Sequence, residues 1–118
     1  MGYKDLEIYK LSHTLAIKVH KMILNLPRFE MYEEGRQIRK SSKAIPANIV
    51  EGYGRKEYQQ DYRRYLIVAH ASCNETIEHL AILYKTGSLT DRETFDYLVQ
   101  NYDSLSRRLN KFIQAFNK

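Results

Sequence analysis

Residues 37–55 read QIRKSSKAIPANIVEGYGR, and this stretch decides the fold class. Small and apolar side chains recur along it at intervals of three and four residues, which is the spacing of one side of an α-helix. The members of this stripe are Ile38, Ser42, Ile45, Ile49 and Gly52. Four cations project about 100° to 160° away from the stripe, at roughly 100° per residue. These cations are Arg36, Arg39, Lys40 and Lys43. We therefore expect a helix over about residues 33–53 with one buried face and one basic face.

Residues that interrupt helices are rare in this chain, which contains two prolines and five glycines. Pro46 lies inside the predicted helix, where it removes the hydrogen bond to the Ser42 carbonyl and is expected to bend the helix. Five other glycines and prolines divide the chain into four stretches: Pro27, Gly35, Gly52, Gly54 and Gly87. None of these stretches alternates apolar and polar residues over the length of a strand, so the sequence predicts an all-α fold.

Three more helices follow from the same apolar spacing. The first is predicted over about residues 5–26, with Asp5 as its N-cap. The third is predicted over about residues 57–86, and the fourth begins with a capping box at Thr90 and Glu93 and continues to the end of the chain. Amphipathic helices joined by short turns pack most simply as an up-down-up-down four-helix bundle.

Length and composition limit the possible function classes. At 118 residues, the whole chain (1–118) is expected to form a single domain. No apolar run is long enough to cross a membrane, so we expect no membrane partner. The single cysteine, Cys73, excludes a disulfide framework and a thiolate zinc cluster, and it favours a reducing cytoplasm. The formal net charge of +5 permits an acidic partner without requiring one.

The third predicted helix has a second apolar face. Residues 65–73, YLIVAHASC, are apolar nearly all round. The side chains directed away from the core stripe are Ile67, Val68, Ala71 and Ile82. Because a helix that is apolar on two sides must be buried on both, we expect the chain to self-associate through this face. Scattered apolar residues on an ordinary surface are the alternative interpretation.

Cations and tyrosines form a candidate nucleic-acid surface. Beyond the basic face of the second helix, four more cations lie in the next turn and helix: Arg55, Lys56, Arg63 and Arg64. Tyrosines alternate with them, at positions 53, 58, 62 and 65. RNA recognition combines clustered cations with aromatic stacking, so RNA is the expected ligand. The alternative is a solvated helix face whose tyrosines belong to the core.

The patterns for catalysis or metal binding are weaker. Arg64 and His70 form an R-x5-H pattern that is similar to the short signature of HEPN-type ribonucleases, which are also helical bundles. Glu75 and His79 lie on one helix face with Glu78 nearby, but the second Glu/His pair that a di-iron bundle needs is missing. We therefore expect no enzyme activity, no cofactor and no metal.

Residues 37–42 and 44–55 resemble the signature of the four-helix protein family encoded in intervening sequences of bacterial 23S rRNA genes. Residues 3–9 and 65–75 are similar to the N-terminus and third helix of that family. The motif positions carried over to this chain are Gln37, Arg39, Ser42, Asn48, Glu51, Gly52, Arg55 and Glu75.

The resemblance implies a four-helix bundle that assembles as a ring-like homopentamer. It also implies a fold shared with the accessory proteins of diversity-generating retroelements, which bind a reverse transcriptase and nucleic acid. It does not imply an enzyme, since the family has no assigned catalytic residues. Sequence and resemblance together predict a cytoplasmic, non-enzymatic oligomer with an RNA-binding face. A protein-adaptor role is the alternative, and a HEPN-like ribonuclease is a weaker one.

Overall fold

The computed structural model describes residues 2–117, which form four α-helices and contain no strand. The helices are α1 (Glu7–Ile23), α2 (Glu34–Tyr53), α3 (Gln59–Lys85) and α4 (Arg92–Gln114). Short 3-10 turns occupy Tyr3–Asp5, Arg28–Tyr32 and Ala115–Asn117. Helix α2 packs against α1 and α3, and α4 packs against α3 and α1, so the four helices surround one core. The all-α prediction is confirmed.

Each helix contributes a buried stripe to this core. The stripe predicted for α2 is buried at all five positions: Ile38, Ser42, Ile45, Ile49 and Gly52. The same spacing predicts a stripe on α3 made of Tyr62, Leu66, Ala69, Cys73, Thr76, Ile77, Leu80 and Tyr84. Six of these eight residues are buried: Tyr62, Leu66, Ala69, Cys73, Thr76 and Leu80. Ile77 and Tyr84 are only half-buried, and Leu83 is buried without having been predicted. Helical periodicity therefore identified most of the core.

Both predicted N-caps are wrong. Asp5 ends the first 3-10 turn, where its carboxylate accepts the backbone N–H of Gly2 at 3.1 Å, and Leu6 is the N-cap of α1. At the start of α4 the cap is Asp91 rather than Thr90. Two residue types that favour N-caps stand side by side there, and the backbone path of the turn decides which carboxylate or hydroxyl reaches the free N–H groups.

Glycine has different roles at the ends of α2 and α3. Gly87 follows α3 with a φ of +84°, in the left-handed region that glycine adopts readily, so it is the predicted stop. Gly52, a member of the predicted stripe, lies within α2, which continues through Pro46 to Tyr53 and has Gly54 as its C-cap. A Cβ at Gly52 would lie 3.0 Å from Cβ of Tyr65, so this glycine allows α2 and α3 to approach closely.

The predicted end of the fourth helix is also corrected. Helix α4 ends at Gln114 and is followed by a 3-10 turn at Ala115–Asn117. The final residue of the predicted helix, at position 118, lies outside the described residues, as does position 1 of the predicted domain.

Candidate functional site

The basic side of α2 forms what we call the α2 ridge, made of Arg36, Arg39, Lys40 and Lys43. The lysines and Arg36 are exposed, and Arg39 is half-buried. Within residues 2–117, none of these four cations forms an ion pair with a carboxylate. The three exposed cations therefore face solvent with no carboxylate to neutralise them, and they are available to an anionic ligand.

The ridge continues onto α1 through a groove that the sequence analysis missed. Nζ of Lys43 lies 3.4 Å from Nδ1 of His20, across the two helices. A cavity of about 370 Å³ opens there, and we call it the α1–α2 groove; it is lined by His13, Ala16, Ile17, His20, Lys21, Lys43 and Pro46. The spacing of His13, His20 and Lys21 on one side of α1 was the signal that could have indicated it.

The second group of predicted cations, Arg55, Lys56, Arg63 and Arg64, forms the turn cluster. Unlike the ridge, most of this group is engaged within the chain. Arg55 pairs with Glu51 at 2.6 Å, and this hydrogen bond raises the pKa of the Arg55 guanidinium. Arg64 lies 3.5 Å from the Asp61 carboxylate. Both guanidinium groups also lie against the ring of Tyr65, at 4.8 Å and 5.2 Å from its centroid.

Lys56 and Arg63 complete the turn cluster. Nζ of Lys56 lies 4.3 Å from the ring centroid of Tyr53 and 3.1 Å from its hydroxyl. Arg63 is half-buried, and its Nε is buried without a hydrogen-bond partner among the described residues. Along α2, the α2 ridge ends at Lys43, and Tyr53 beside the turn cluster lies about 15 Å farther on, at 1.5 Å per residue. The predicted basic surface therefore consists of two parts, an unpaired ridge and a largely paired cluster.

The polar motif residues on α2 bond mainly to their own helix. Oγ of Ser42 donates to the carbonyl of Arg39, and Nδ2 of Asn48 donates to the carbonyl of Ala44 at 2.8 Å. Gln37 is exposed, and the Glu51 carboxylate pairs with Arg55 as described. These side chains do not converge on a common point where a small ligand could bind.

The R-x5-H residues have separate partners. Arg64 pairs with Asp61 on its own helix, whereas Nε2 of His70 lies 3.0 Å from Oγ of Ser106 on α4. Ser106 donates its single proton to Oδ1 of Asn74, so the imidazole donates to Ser106. Arg64 and His70 also project about 120° apart around α3. The structure does not bring them together.

The remaining candidate groups have structural contacts. His79 lies between two carboxylates, 2.6 Å from Glu34 and 3.1 Å from Glu75, and so links the start of α2 to α3. In the described part of the chain, no set of three or more His, Cys, Asp or Glu side chains is arranged to hold a metal ion. Burial raises the pKa of the Cys73 thiol to about 12, and its Sγ donates to the carbonyl of Tyr102. The thiol is therefore protonated at neutral pH, when it is a poor nucleophile.

The predicted second apolar face of α3 lies largely at the surface, and we call it the α3 outer face. Ile67 and Val68 are 42% and 44% exposed, Ala71 is exposed and Ile82 is half-buried. Over residues 2–117, no helix is both long enough and apolar enough to span a membrane.

A family model and a solved structure are similar to this chain. The model of the family described as 23S rRNA-intervening sequence protein matches residues 4–111. Among solved structures, the chain is similar to a protein with unknown function from the S23 ribosomal protein family of Bacteroides thetaiotaomicron. The TM-score is 0.77 at 23% identity, over 90% of this chain and 97% of that one, so this likeness shows the fold alone. No match is found among curated proteins.

Proposed function

The chain belongs to the 23S rRNA-intervening sequence protein family, and we propose that it is a non-enzymatic, oligomeric RNA-binding protein. The observation that carries the proposal is the α2 ridge, whose four cations have no carboxylate partner among the residues described. Unpaired cations at a protein surface neutralise phosphates and release the counterions bound to them, which drives association with nucleic acid.

Assembly would strengthen this binding. We propose that the helices run up-down-up-down and that the bundles form a ring-like homopentamer in the cytoplasm. The exposure of Ile67 and Val68 supports assembly, because covering them removes apolar surface from water. A symmetric ring repeats the α2 ridge in every subunit, so one RNA strand could contact several ridges and bind more tightly than to one.

The contacts of the candidate catalytic groups support a non-enzymatic role. Arg64 and His70 are engaged with different partners, and Cys73 is protonated in the core. A HEPN-type reaction would need the arginine and the histidine at one scissile phosphate. RNA binding alone needs neither.

The test compares two double variants that remove the same charge from different faces. Arg36→Ala with Lys40→Ala alters the α2 ridge, and Arg108→Ala with Lys111→Ala alters exposed positions on α4. Binding to single-stranded and structured RNA is measured by fluorescence anisotropy over a series of salt concentrations. We expect the ridge variant to lose affinity, with the salt slope falling by about 0.7 to 0.9 for each phosphate contact removed. The α4 variant should keep the affinity and the salt slope of the wild type.

Two results would contradict the RNA proposal. One is equal affinity for the two double variants, and the other is no binding by the wild type at low salt. Either result would favour the protein-adaptor alternative, such as an accessory protein of a reverse transcriptase, for which exposed Ile17 and Ile67 offer contact surface. RNA cleavage that disappears in Arg64→Ala or His70→Ala would instead support the ribonuclease alternative.

A further inference from the structure

The α3 outer face carries negative charge among its apolar side chains. At 100° and 1.5 Å per residue, Glu78 projects in nearly the same direction as Ile67 and Ala71, about 16 Å and 10 Å farther along the helix. Its carboxylate is exposed and has no ion pair or hydrogen bond among the described side chains, whereas Glu75 beside it already contacts His79. A partner for this face must therefore offer apolar surface together with a cation.

The α1–α2 groove has the opposite character. Its floor is apolar, made of Ala16, Ile17 and Pro46, and Ile17 is 46% exposed. Its rim carries Lys21 and Lys43, with His13 and His20 beside them, and no carboxylate lines it. Neither lysine pairs with a carboxylate within residues 2–117. A partner for the groove must therefore offer an apolar surface together with a carboxylate.

Each surface thus has the properties that the other one requires. The α3 outer face and the α1–α2 groove are built from different helices, so one copy of the chain can use both at the same time. An interface that joins two different patches is head-to-tail, and it closes into a ring when the rotation between subunits permits.

We propose that the α3 outer face of one copy docks into the α1–α2 groove of the next copy. The apolar side chains of the α3 outer face cover Ile17 of the next copy, and Glu78 faces Lys21 and Lys43. This inference rests on the self-association in the proposed function. It adds which two surfaces meet and that they join the copies head-to-tail. Because Arg36 and Lys40 lie outside the groove lining, they stay available to RNA in the assembly.

Charge reversal tests the interface. The face variant is Glu78→Lys, the groove variant is Lys21→Glu with Lys43→Glu, and a third variant combines all three changes. Sedimentation velocity over a concentration series gives the dissociation constant of the assembly, and circular dichroism checks that the helices remain. Glu57→Lys, at an exposed position in the turn before α3, is the control with the same charge change as the face variant.

We expect each separate reversal to raise the dissociation constant by about tenfold to a hundredfold, because like charges then face each other across the interface. The combined variant should assemble again, since both partners are reversed and attract. The control should assemble like the wild type. If the single reversals acted only by unfolding or destabilising the protein, combining them would not restore assembly. Restored assembly in the combined variant therefore shows that the two surfaces meet.

Three outcomes would overturn the inference, and they do not all have the same meaning. A wild type that is a 14.0 kDa monomer at micromolar concentration would overturn the proposed self-association itself. A wild-type assembly that neither reversal weakens, or a combined variant that stays dissociated, would overturn this interface while leaving self-association intact. Binding of an acidic helical peptide to a monomeric wild type, blocked in the groove variant, would show that the groove serves another protein.

Discussion

At the scale of single residues, Glu30 shows how one buried carboxylate connects distant parts of the chain. Its side chain is only 4% exposed. One carboxylate oxygen accepts the backbone N–H of Gly35 at 3.3 Å, and the other accepts the hydroxyl of Ser88 at 2.6 Å. The carboxylate therefore joins the turn before α2, the first residues of α2 and the turn after α3. Buried charges of this kind are retained only where hydrogen bonds replace those to water.

The close packing around Glu30 leads to a prediction for Gly35. A Cβ at this position would lie 2.4 Å from the carbonyl oxygen of Glu30, which is closer than real contacts allow. We expect Gly35→Ala to lower the free energy of unfolding by about 1 to 3 kcal/mol, because the backbone must shift to relieve the overlap. Urea denaturation followed by circular dichroism measures the change.

Gly54→Ala is the matched control for Gly35→Ala. The nearest atom to a Cβ at Gly54 lies 3.5 Å away, and its φ of −62° suits alanine. We expect this variant to be neutral or more stable by up to about 1 kcal/mol, since alanine restricts the unfolded chain. Equal losses in both variants would show that Gly35 is not specially constrained.

At the scale of elements, the start of α4 depends on one carboxylate. The Asp91 side chain accepts the backbone N–H groups of Glu93 at 3.1 Å and Thr94 at 3.3 Å, and the Thr94 hydroxyl at 2.7 Å. The hydrogen bond from the Thr94 hydroxyl is the largest of the effects that lower the pKa of Asp91 below its usual value of 3.8. The charged form is therefore the one that stabilises the helix.

We expect Asp91→Ala to lower the melting temperature at pH 7, while Thr90→Ala leaves it nearly unchanged. A carboxylate whose pKa is lower in the folded state than in the unfolded state stabilises the fold fully at pH values above its unfolded-state pKa. That stabilisation is lost as the pH falls through its folded-state pKa. The difference between wild type and Asp91→Ala should therefore disappear in strongly acidic buffer. Thermal melts of all three proteins at pH 7 and below pH 3.8 provide the measurement. A larger effect of Thr90→Ala would mean that the predicted capping box forms after all.

The contact between α2 and α3 shows why glycine and small polar residues are found in buried stripes. Oγ of Ser41 lies 2.8 Å from Oγ1 of Thr76, so two buried hydroxyls satisfy each other across the helices. Gly52 allows the same helices to approach near the other end of α2. The apolar spacing predicted which side of α2 is buried, with Gly52 as part of it, but it did not predict that α3 approaches closely at this glycine.

At the scale of the whole molecule, the proposed assembly should affect thermal stability. If the α3 outer face is covered in the oligomer, mass action makes the melting temperature rise with protein concentration. We expect Ile67→Glu to remove this dependence, because a charge on the covered face opposes docking. Scanning calorimetry over a hundredfold range of concentration checks it.

Asn110→Glu is the control for this measurement, since it adds the same charge at an exposed position on α4. It should keep the concentration dependence of the wild type. A wild-type melting temperature that does not change with concentration would contradict assembly, whatever the variants show.

The sequence by itself determined the four helices, most of their buried stripes and the basic side of α2. These features depend on the spacing of residue types along a helix. This spacing is a local property, so it can be read from the sequence without knowledge of the tertiary packing. The family motif could be recognised for the same reason, because its residues lie close together in the chain. The approximate ends of α2 and α3 followed from glycine, which acts on the backbone nearby.

The tertiary structure alone decided which charges are available and which are engaged. The sequence analysis treated eight cations as one surface, but Arg55 and Arg64 are paired with carboxylates and Tyr65, while the α2 ridge is unpaired. The groove between α1 and α2 and the burial of Glu30 were also invisible in the sequence. Such features depend on contacts between residues far apart in the chain or on the exact path of a turn, and the periodicity of a single helix contains no information about either.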